Sequence, residues 1–325
     1  MGRIVDLALA VSGVEGLAER IGRAGHQLVV PEAAPTSEAE VARWVAEADA
    51  AIAGSREPYN AATLAEAKRL RVISRVGVGY DNVDVEAATQ RGVALALTPG
   101  TIEESVADLA LALLLACARG LPAMNAGVHA GQWPRILGME LDGKCLGILG
   151  LGRIGRAVAR RAQAFGMRVV AYDPAADAAY AAAHAITLLP STEAVLAEAD
   201  VVSLHLPMQP HLRGFVGREF LARMRPGSIL INTARGPLVD EAALAEALRS
   251  GHLRAAGLDV LAQEPVAADN PLRGLSNVVL TPHVASYTHE AWTRMVTRAV
   301  DNALAVLAGG RPPGLLNPEA LDRGR

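Results

Sequence analysis

Two kinds of hydrophobic pattern alternate along the whole chain. Short, nearly continuous apolar runs predict buried strands, and they are separated by segments whose apolar residues recur every three or four positions, as on one helix face. SEAEVARWVAEAD (37–49) and NAATLAEAKRL (60–70) are two such helical segments. Because strands that alternate with helices form parallel sheets covered on both faces, the pattern predicts an α/β fold.

The predicted strands form two groups, one on each side of residue 100. The first group comprises RIVDLALAV (3–11), HQLVV (26–30), DAAIAG (49–54), LRVISR (70–75) and GVALAL (92–97). The second comprises LGILG (146–150), RVVAYD (168–173), DVVSLHLP (200–207), SILINTA (228–234), RAAGLDV (254–260) and NVVLTP (277–282). A chain of 325 residues exceeds what one hydrophobic core usually organises. We therefore expect two doubly wound parallel-sheet domains.

A long helix is predicted between the two groups, in residues 101–119. Thr101 and Glu104 match a capping box, the middle of the segment is apolar on nearly all sides, and Gly120 would end the helix. A helix that is apolar all round must be buried, so we expect it to connect the domains or to lie in a subunit interface. Residues 121–144 are punctuated by Gly and Pro and are expected to run over the surface, whereas 288–310 is helical by period.

Composition limits the possible partners. The net charge of −3, with 51% hydrophobic and 20% charged residues, describes a globular protein and gives no electrostatic reason to expect nucleic acid or an anionic membrane as a partner. The longest apolar run, 110–118, is too short to span a bilayer, so we expect a cytoplasmic protein. The two cysteines and eight histidines show no metal-ligand spacing, and no metal site is predicted.

A glycine-rich turn, Gly150-Leu151-Gly152-Arg153-Ile154-Gly155, follows the strand LGIL and precedes an amphipathic helix. In a dinucleotide-binding turn the first glycine permits the sharp bend, the second lets backbone approach a diphosphate, and the third lets the helix pack closely on the strand. The backbone N–H groups of Arg153 and Ile154 would then point at phosphate. The context of strand, turn and helix predicts a Rossmann domain that binds a dinucleotide.

Asp173 ends the next predicted strand, 18 residues after Gly155. A carboxylate at this position accepts hydrogen bonds from the adenosine ribose and repels a 2′-phosphate, so the sequence predicts NAD as the cofactor in preference to NADP. The alternative is that Asp173 only caps a turn before Pro174.

Polar residues follow three later strands of the second group: Arg235 in INTARG, Asp259 and Glu264 in GLDVLAQEP, and His283 in TPHVAS. Ligands of open parallel sheets bind beyond the carboxyl ends of the strands. An arginine can orient an anionic substrate and polarise its carbonyl, while a histidine beside a glutamate can deliver or remove a proton. Taken singly, these residues could equally be a surface cation, a turn carboxylate and a structural histidine.

In this combination the sequence resembles the D-isomer-specific 2-hydroxyacid dehydrogenases, which are NAD-dependent. The matching motifs are RVGVGYDNVD (75–84), GKCLGILGLGRIGRAVA (143–159), VVAYDP, LHLP, INTARGPLVDEAALAEAL, GLDV with EP, TPHVAS and RPPGLLNPEAL. The resemblance implies that His283 is the general acid/base, that Glu264 assists it, and that Arg235 binds the substrate. It also implies that the amides of Val78 and Gly79 bind the substrate carboxylate. The remaining implied cofactor residues are Asp259, at the nicotinamide carboxamide, and Leu206, Pro207, Thr233, Ala234 and Ser286.

The resemblance further implies a Rossmann NAD-binding domain (99–289) inserted into a flavodoxin-like substrate domain (1–98 and 290–325). The binding amides and the catalytic residues would then lie on opposite walls of a cleft between the domains. The segment 101–145 is expected to make homodimer contacts. The chain ends soon after NPEAL, and a carboxy-terminal regulatory domain is not expected.

The substrate is a small 2-hydroxy or 2-keto acid in this interpretation. Arg75 matches a basic position near the substrate phosphate in D-3-phosphoglycerate dehydrogenases, which favours that subgroup; its alternative is an ordinary ion-paired cation. The segment PGTIEESVAD (99–108) instead looks closer to glyoxylate and hydroxypyruvate reductases. A protein of another class also stays open, namely a dinucleotide sensor like the corepressors of this superfamily.

Overall fold

A computed structural model describes residues 2–323 and contains two parallel sheets flanked by helices. The strands are β1 (Arg3–Asp6), β2 (Gln27–Val29), β3 (Ala50–Ala53), β4 (Val72–Arg75), β5 (Ala94–Ala96), β6 (Cys145–Leu149), β7 (Arg168–Tyr172), β8 (Ile186–Leu188), β9 (Val201–Leu204), β10 (Ser228–Asn232), β11 (Leu253–Leu258) and β12 (Val278–Leu280). The predicted α/β fold with two parallel sheets is confirmed.

The helices alternate with these strands. They are α1 (Leu17–Arg23), α2 (Glu38–Val45), α3 (Ala61–Ala65), α4 (Val85–Gln90), α5 (Glu103–Arg119), α6 (Leu121–His129), α7 (Arg153–Ala164), α8 (Ala178–Ala183), α9 (Thr192–Glu198), α10 (Arg218–Arg223), α11 (Glu241–Arg249) and α12 (His289–Leu307).

The chain divides into two compact units. The first contains the residues up to Ile102 and those from Thr288 onward, and the second is the uninterrupted stretch Glu103–Tyr287. The sequence predicts the boundaries between the two domains at 98/99 and 289/290. The first unit is therefore built from two segments that are distant in sequence, and the second is built from one.

The first unit has the strand order β2-β1-β3-β4-β5, the flavodoxin-like arrangement. Its second segment packs on its first: the Ser74 hydroxyl of β4 donates to the Ala299 carbonyl of α12 at 2.7 Å. The side-chain oxygen of Asn317 accepts from the amide of Leu95 in β5 at 2.6 Å. Residues from both segments are thus needed to complete this unit.

The second unit has the strand order β12-β11-β10-β9-β6-β7-β8. Counted from β6, the first strand of this unit, the order is that of a Rossmann fold with one strand added at the edge: the chain reverses its direction across the sheet at β6. All five residues of β6 are buried, as expected for a central parallel strand covered on both faces. The carboxyl ends of β6, β9, β10, β11 and β12 consequently meet along one edge of the sheet.

Three details differ from the sequence analysis. Strand β8 was not predicted, and residues 121–129, which were expected to run over the surface, form helix α6. The capping box proposed for Thr101 and Glu104 is wrong: α5 begins at Glu103, and the Thr101 hydroxyl donates to the Thr98 carbonyl. The Glu104 carboxylate instead binds Arg160 and Arg161 of α7.

Helix α5 is buried in the core of the second unit, as its pattern predicted. In the part of the chain that the structure describes, no single helix has the length and apolar character needed to cross a bilayer. Only α5 and α6 taken together meet that test, and they are bent by 66° at their junction.

Candidate active site

The glycine-rich turn has the geometry that a dinucleotide requires. Gly150 has φ of +95°, and a Cβ there would lie 2.5 Å from the His205 carbonyl oxygen. A Cβ on Gly155 would lie 2.2 Å from the Gly150 carbonyl oxygen, so only glycine lets α7 pack against the turn. Gly152, by contrast, faces open space, since a Cβ added there would meet nothing within 4 Å. The turn therefore leaves room for a diphosphate at the N-terminus of α7, where the amides of Arg153 and Ile154 lie.

Asp173 is fixed beside this turn. Its Oδ2 accepts a hydrogen bond from the amide of Leu151, and its Oδ1 accepts one from the amide of Ala175, both at 2.8 Å. The second bond is the turn-capping role that the sequence left open as an alternative. Because each carboxylate oxygen can accept two hydrogen bonds, both oxygens keep capacity for ribose hydroxyls.

Other predicted cofactor residues follow the strands at the same sheet edge. Leu206 and Pro207 follow β9, Thr233 and Ala234 follow β10, and Ser286 lies beyond β12. The Thr233 hydroxyl is buried and has no hydrogen-bond partner within residues 2–323. A buried polar group normally needs a partner, so this hydroxyl fits a bound cofactor that supplies one.

His283 and Glu264 form a direct pair. The Nδ1 of His283 lies 2.8 Å from Oε2 of Glu264, and the Leu261 amide donates to Oε1 of Glu264 at 3.1 Å. Partial burial raises the pKa of Glu264, but its bonds to His283 and Leu261 and the positive charge of Arg235 outweigh burial and lower the pKa overall. Glu264 is therefore an anion that occupies Nδ1 and leaves Nε2 of the imidazole for another partner.

Asp259 builds the turn that carries His283. Its buried carboxylate accepts hydrogen bonds from the Thr281 hydroxyl at 2.6 Å and from the amides of Val284 and Ala285 at 2.9 and 2.8 Å. Its carbonyl accepts from the His283 amide at 2.8 Å. His283 has φ of +56°, which is unfavourable for a residue with a side chain. The bonds to Asp259 hold this strained conformation in place.

Arg235 lies on the loop after β10, and Gly236 brings that loop against the one that carries Glu264. The Nη1 of Arg235 donates to the Ala234 carbonyl at 2.6 Å, and the side-chain amide of Asn232 donates to the Arg235 carbonyl at 2.9 Å. A Cβ on Gly236 would lie 1.9 Å from the carbonyl carbon of Leu261. Gly236 was not among the predicted site residues, and its only signal in the sequence is its place directly after Arg235.

The predicted substrate amides belong to the first unit. Val78 and Gly79 follow β4, and the preceding Gly77 has φ of +136°, with its amide donating to the Thr98 hydroxyl at 3.0 Å. Arg75 is only 7% exposed, and its Nη1 donates to the carbonyls of Val76 at 2.7 Å and Ala53 at 3.4 Å. These contacts direct part of the guanidinium to backbone carbonyls, a role that is neither the phosphate contact nor the ion pair considered for Arg75 from the sequence.

The described part of the chain contains no candidate metal site. No group of three or more His, Cys, Asp or Glu side chains there could hold a metal ion. Cys117 and Cys145 are both buried thiols, and burial raises the pKa of Cys117 to about 12, so it is not a reactive thiolate.

Comparison with known proteins agrees with this geometry. The family model described as "D-isomer specific 2-hydroxyacid dehydrogenase, NAD binding domain" matches residues 111–285. D-3-phosphoglycerate dehydrogenase of Mycobacterium tuberculosis is 48% identical over 275 residues, which are 84% of this chain and 52% of the relative. This chain thus spans about half the length of such relatives. Glyoxylate reductase of Korarchaeum cryptofilum is 41% identical over 294 residues, covering 89% of this chain and 88% of that protein.

Solved structures extend the similarity to the whole fold. The TT0316 protein from Thermus thermophilus has a TM-score of 0.89 at 42% identity, covering 97% of this chain and 100% of that one. A glyoxylate reductase from Paecilomyes thermophila has a TM-score of 0.88 at 28% identity, covering 97% and 98% of the two chains. The chain therefore belongs to the D-isomer specific 2-hydroxyacid dehydrogenase family and carries the NAD-binding domain of that family.

Proposed function

We propose that the chain is an NAD-dependent oxidoreductase that interconverts a D-2-hydroxy acid and its 2-keto acid. The observation that carries the proposal is the 2.8 Å pair of His283 and Glu264, in the same unit as the glycine-rich turn. An imidazole held by a carboxylate is the acid/base group that carbonyl reduction needs. Bound NAD supplies the hydride chemistry, and the protein supplies the proton and the orientation of the substrate.

His283 is the general acid/base of this reaction. In the direction of reduction its Nε2 donates a proton to the substrate carbonyl oxygen as that oxygen becomes a hydroxyl, and in oxidation it takes that proton back. Glu264, anionic at Nδ1, stabilises the protonated imidazole between these two events. The positive charge that develops on the imidazole is thereby balanced by the carboxylate of Glu264, which is already hydrogen-bonded to it.

The substrate is oriented by its charged groups. Arg235 binds the carboxylate and polarises the keto oxygen, as the planar guanidinium suits both oxygens. The backbone amides of Val78 and Gly79 bind the carboxylate as an anion site made of N–H groups. The cofactor is held by the glycine-rich turn, by Asp173 at the adenosine ribose, and by Leu206, Pro207, Thr233, Ala234, Asp259 and Ser286.

D-3-phosphoglycerate and its keto acid are the first substrate pair we propose, supported by the 48% identity to D-3-phosphoglycerate dehydrogenases. Glyoxylate and hydroxypyruvate are the second candidates. They are supported by the 41% identity to a glyoxylate reductase and by the enclosure of Arg75, which weakens its assignment to a substrate phosphate.

The test is oxidation of NADH and of NADPH with 3-phosphohydroxypyruvate, hydroxypyruvate and glyoxylate. We expect turnover with NADH, and a fall in kcat of about 10³-fold in His283→Ala with NADH binding retained. Wild-type protein that binds NADH but reduces none of these acids would instead favour a dinucleotide sensor. If Arg75→Ala leaves the ratio of kcat/KM for 3-phosphohydroxypyruvate and glyoxylate unchanged, Arg75 does not bind the substrate phosphate.

We also propose that the protein forms a homodimer through residues 121–137. Exposed apolar side chains are concentrated in this segment: Leu121, Val128, Trp133, Ile136 and Leu137, with Trp133 78% and Leu137 91% exposed. Helix α6 also borders an open groove lined by Leu121, Pro122, Met124, Asn125 and Val128. Exposed apolar side chains concentrated in one segment mark a contact with another molecule, and a second copy of the chain is the partner we propose.

A further inference from the structure

Arg156, in the first turn of α7, joins the glycine-rich turn to the start of α8. Its Nε donates to the Leu151 carbonyl at 3.1 Å, and its Nη2 lies 3.6 Å from the Asp177 carboxylate. The carbon of its guanidinium lies 3.9 Å from the centre of the Tyr180 ring. A single side chain thus makes three contacts with two separate segments.

These contacts meet the residue proposed to bind the ribose. The carbonyl of Leu151 accepts a hydrogen bond from Arg156, and the amide of Leu151 donates a hydrogen bond to the carboxylate of Asp173 at 2.8 Å. The loop from Asp173 to Asp177 is therefore held at its beginning by the glycine-rich turn and at its end by Arg156. Because the carboxylate of Asp173 must meet the ribose hydroxyls, the placement of this loop decides whether it can do so.

The contacts depend more on the shape of the arginine than on its charge. The ion pair with Asp177 is long and exposed, with 31% and 52% of the two side chains accessible, so it contributes little by itself. A planar guanidinium can stack on a ring while an edge donates to a carbonyl, which a lysine ammonium cannot do. Tyr180 is itself braced, since its ring stacks on that of His184 at 3.9 Å and its amide donates to Asp177 at 3.0 Å.

We propose that Arg156 is a positioning residue for the adenosine half of NAD. It fixes the backbone of Leu151 and the loop of Asp173 together, so that the adenosine ribose meets a preformed site. The inference rests on the proposed placement of the cofactor at the glycine-rich turn and Asp173. It does not depend on which acid is the substrate or on the role of His283.

The test is calorimetric titration of the whole protein with ADP-ribose, which contains the adenosine half and the diphosphate but no nicotinamide. We expect Arg156→Ala to bind ADP-ribose about tenfold more weakly, the effect of losing about 1.4 kcal/mol of binding free energy. Arg156→Lys keeps the charge without the plane and should stay severalfold weaker than wild type. Tyr180→Phe keeps the ring face and should bind as wild type does.

Arg160→Ala is the matched control, since Arg160 lies one turn along the same helix and binds Glu104 instead of the turn. This variant removes the same charge and should leave ADP-ribose binding unchanged. With NADH, Arg156→Ala should raise KM in parallel with the loss of ADP-ribose affinity while kcat at saturating NADH stays constant.

Two results would overturn the inference. One is wild-type affinity for ADP-ribose in Arg156→Ala, and the other is an equal loss in Arg156→Ala and Arg160→Ala, which would reduce the effect to charge. Failure of the wild-type protein itself to bind ADP-ribose would overturn the proposed cofactor placement along with it. Absence of turnover with every keto acid, in a protein that binds ADP-ribose normally, would overturn only the proposed reaction.

Discussion

Replacing Gly236 by alanine should push apart two loops: the one after β10, which carries Arg235, and the one after β11, which carries Glu264. A Cβ at this position would lie 1.9 Å from the carbonyl carbon and oxygen of Leu261 and 2.5 Å from the amide nitrogen of Ala262. Non-bonded carbon atoms sit about 3.5 Å or more apart, so one loop must move by about 1.5 Å. All three contacting atoms belong to the backbone, which cannot rotate out of the way as a flexible side chain can.

The movement should reach the acid/base pair. The Leu261 amide donates to Oε1 of Glu264, and Oε2 of the same carboxylate holds His283. A misplacement of about 1 Å in a catalytic group costs on the order of 10²-fold in rate. We therefore expect kcat/KM of Gly236→Ala to fall about 100-fold, with a loss of about 1–3 kcal/mol in unfolding free energy from overpacking.

The assay combines steady-state kinetics on the best keto acid, titration with NADH and thermal unfolding. NADH affinity should change little, because Gly236 is not part of the glycine-rich turn. The matched control is Gly22→Ala in α1, where a Cβ meets nothing within 4 Å and φ is not positive; its kinetics should match wild type. Wild-type kcat/KM in a folded Gly236→Ala protein would refute the reasoning, since the clash would then be absorbed without moving Glu264.

Three further outcomes are expected. Asp173→Asn removes the charge that repels a 2′-phosphate and should narrow the preference for NADH over NADPH by about tenfold in kcat/KM; an unchanged ratio would assign Asp173 to the turn alone. The pKa of Glu264 is lowered from 4.5 in the folded protein, so its contribution to stability is complete above that pH and is lost as pH falls through the lowered value. The melting temperature of Glu264→Gln should therefore fall less than that of wild type when the pH is lowered from about 6 to below about 4.5. Equal falls would contradict the pairing of Glu264 with His283. Leu137→Glu places a charge in the proposed dimer surface and should shift sedimentation from dimer to monomer, whereas Val30→Glu, at another exposed apolar residue, should not.

Features that depend on local sequence were predictable. The apolar runs located eleven strands, and the glycine spacing located the turn. Both signals come from residues that are close together in the sequence. Strand β8 was not predicted, because its three residues, Ile186–Leu188, follow an alanine-rich helical segment and show no hydrophobic period of their own. Helix α6 was not predicted because its segment is punctuated by glycine and proline, although proline is tolerated in the first turn of a helix.

Features that depend on distant partners were not predictable. Thr101 and Glu104 have the spacing of a capping box, but two arginines of α7, more than 50 residues away, bind the glutamate instead. The enclosure of Arg75 follows from the packing of neighbouring strands, which sequence spacing does not reveal. Gly236 matters only because a loop 25 residues further along the chain passes 1.9 Å from the place of its missing Cβ.

The two-segment construction of the first unit has a consequence for synthesis. Strands β1 to β5 leave the ribosome well before α12, which packs on β3 and β4 and accepts a hydrogen bond from the Ser74 hydroxyl. The whole second unit is synthesised between them. Because domains fold largely in the order of translation, the second unit can complete its core while the first still lacks a covering helix. During that interval the sheet formed by β1 to β5 exposes to solvent the apolar face that α12 later covers.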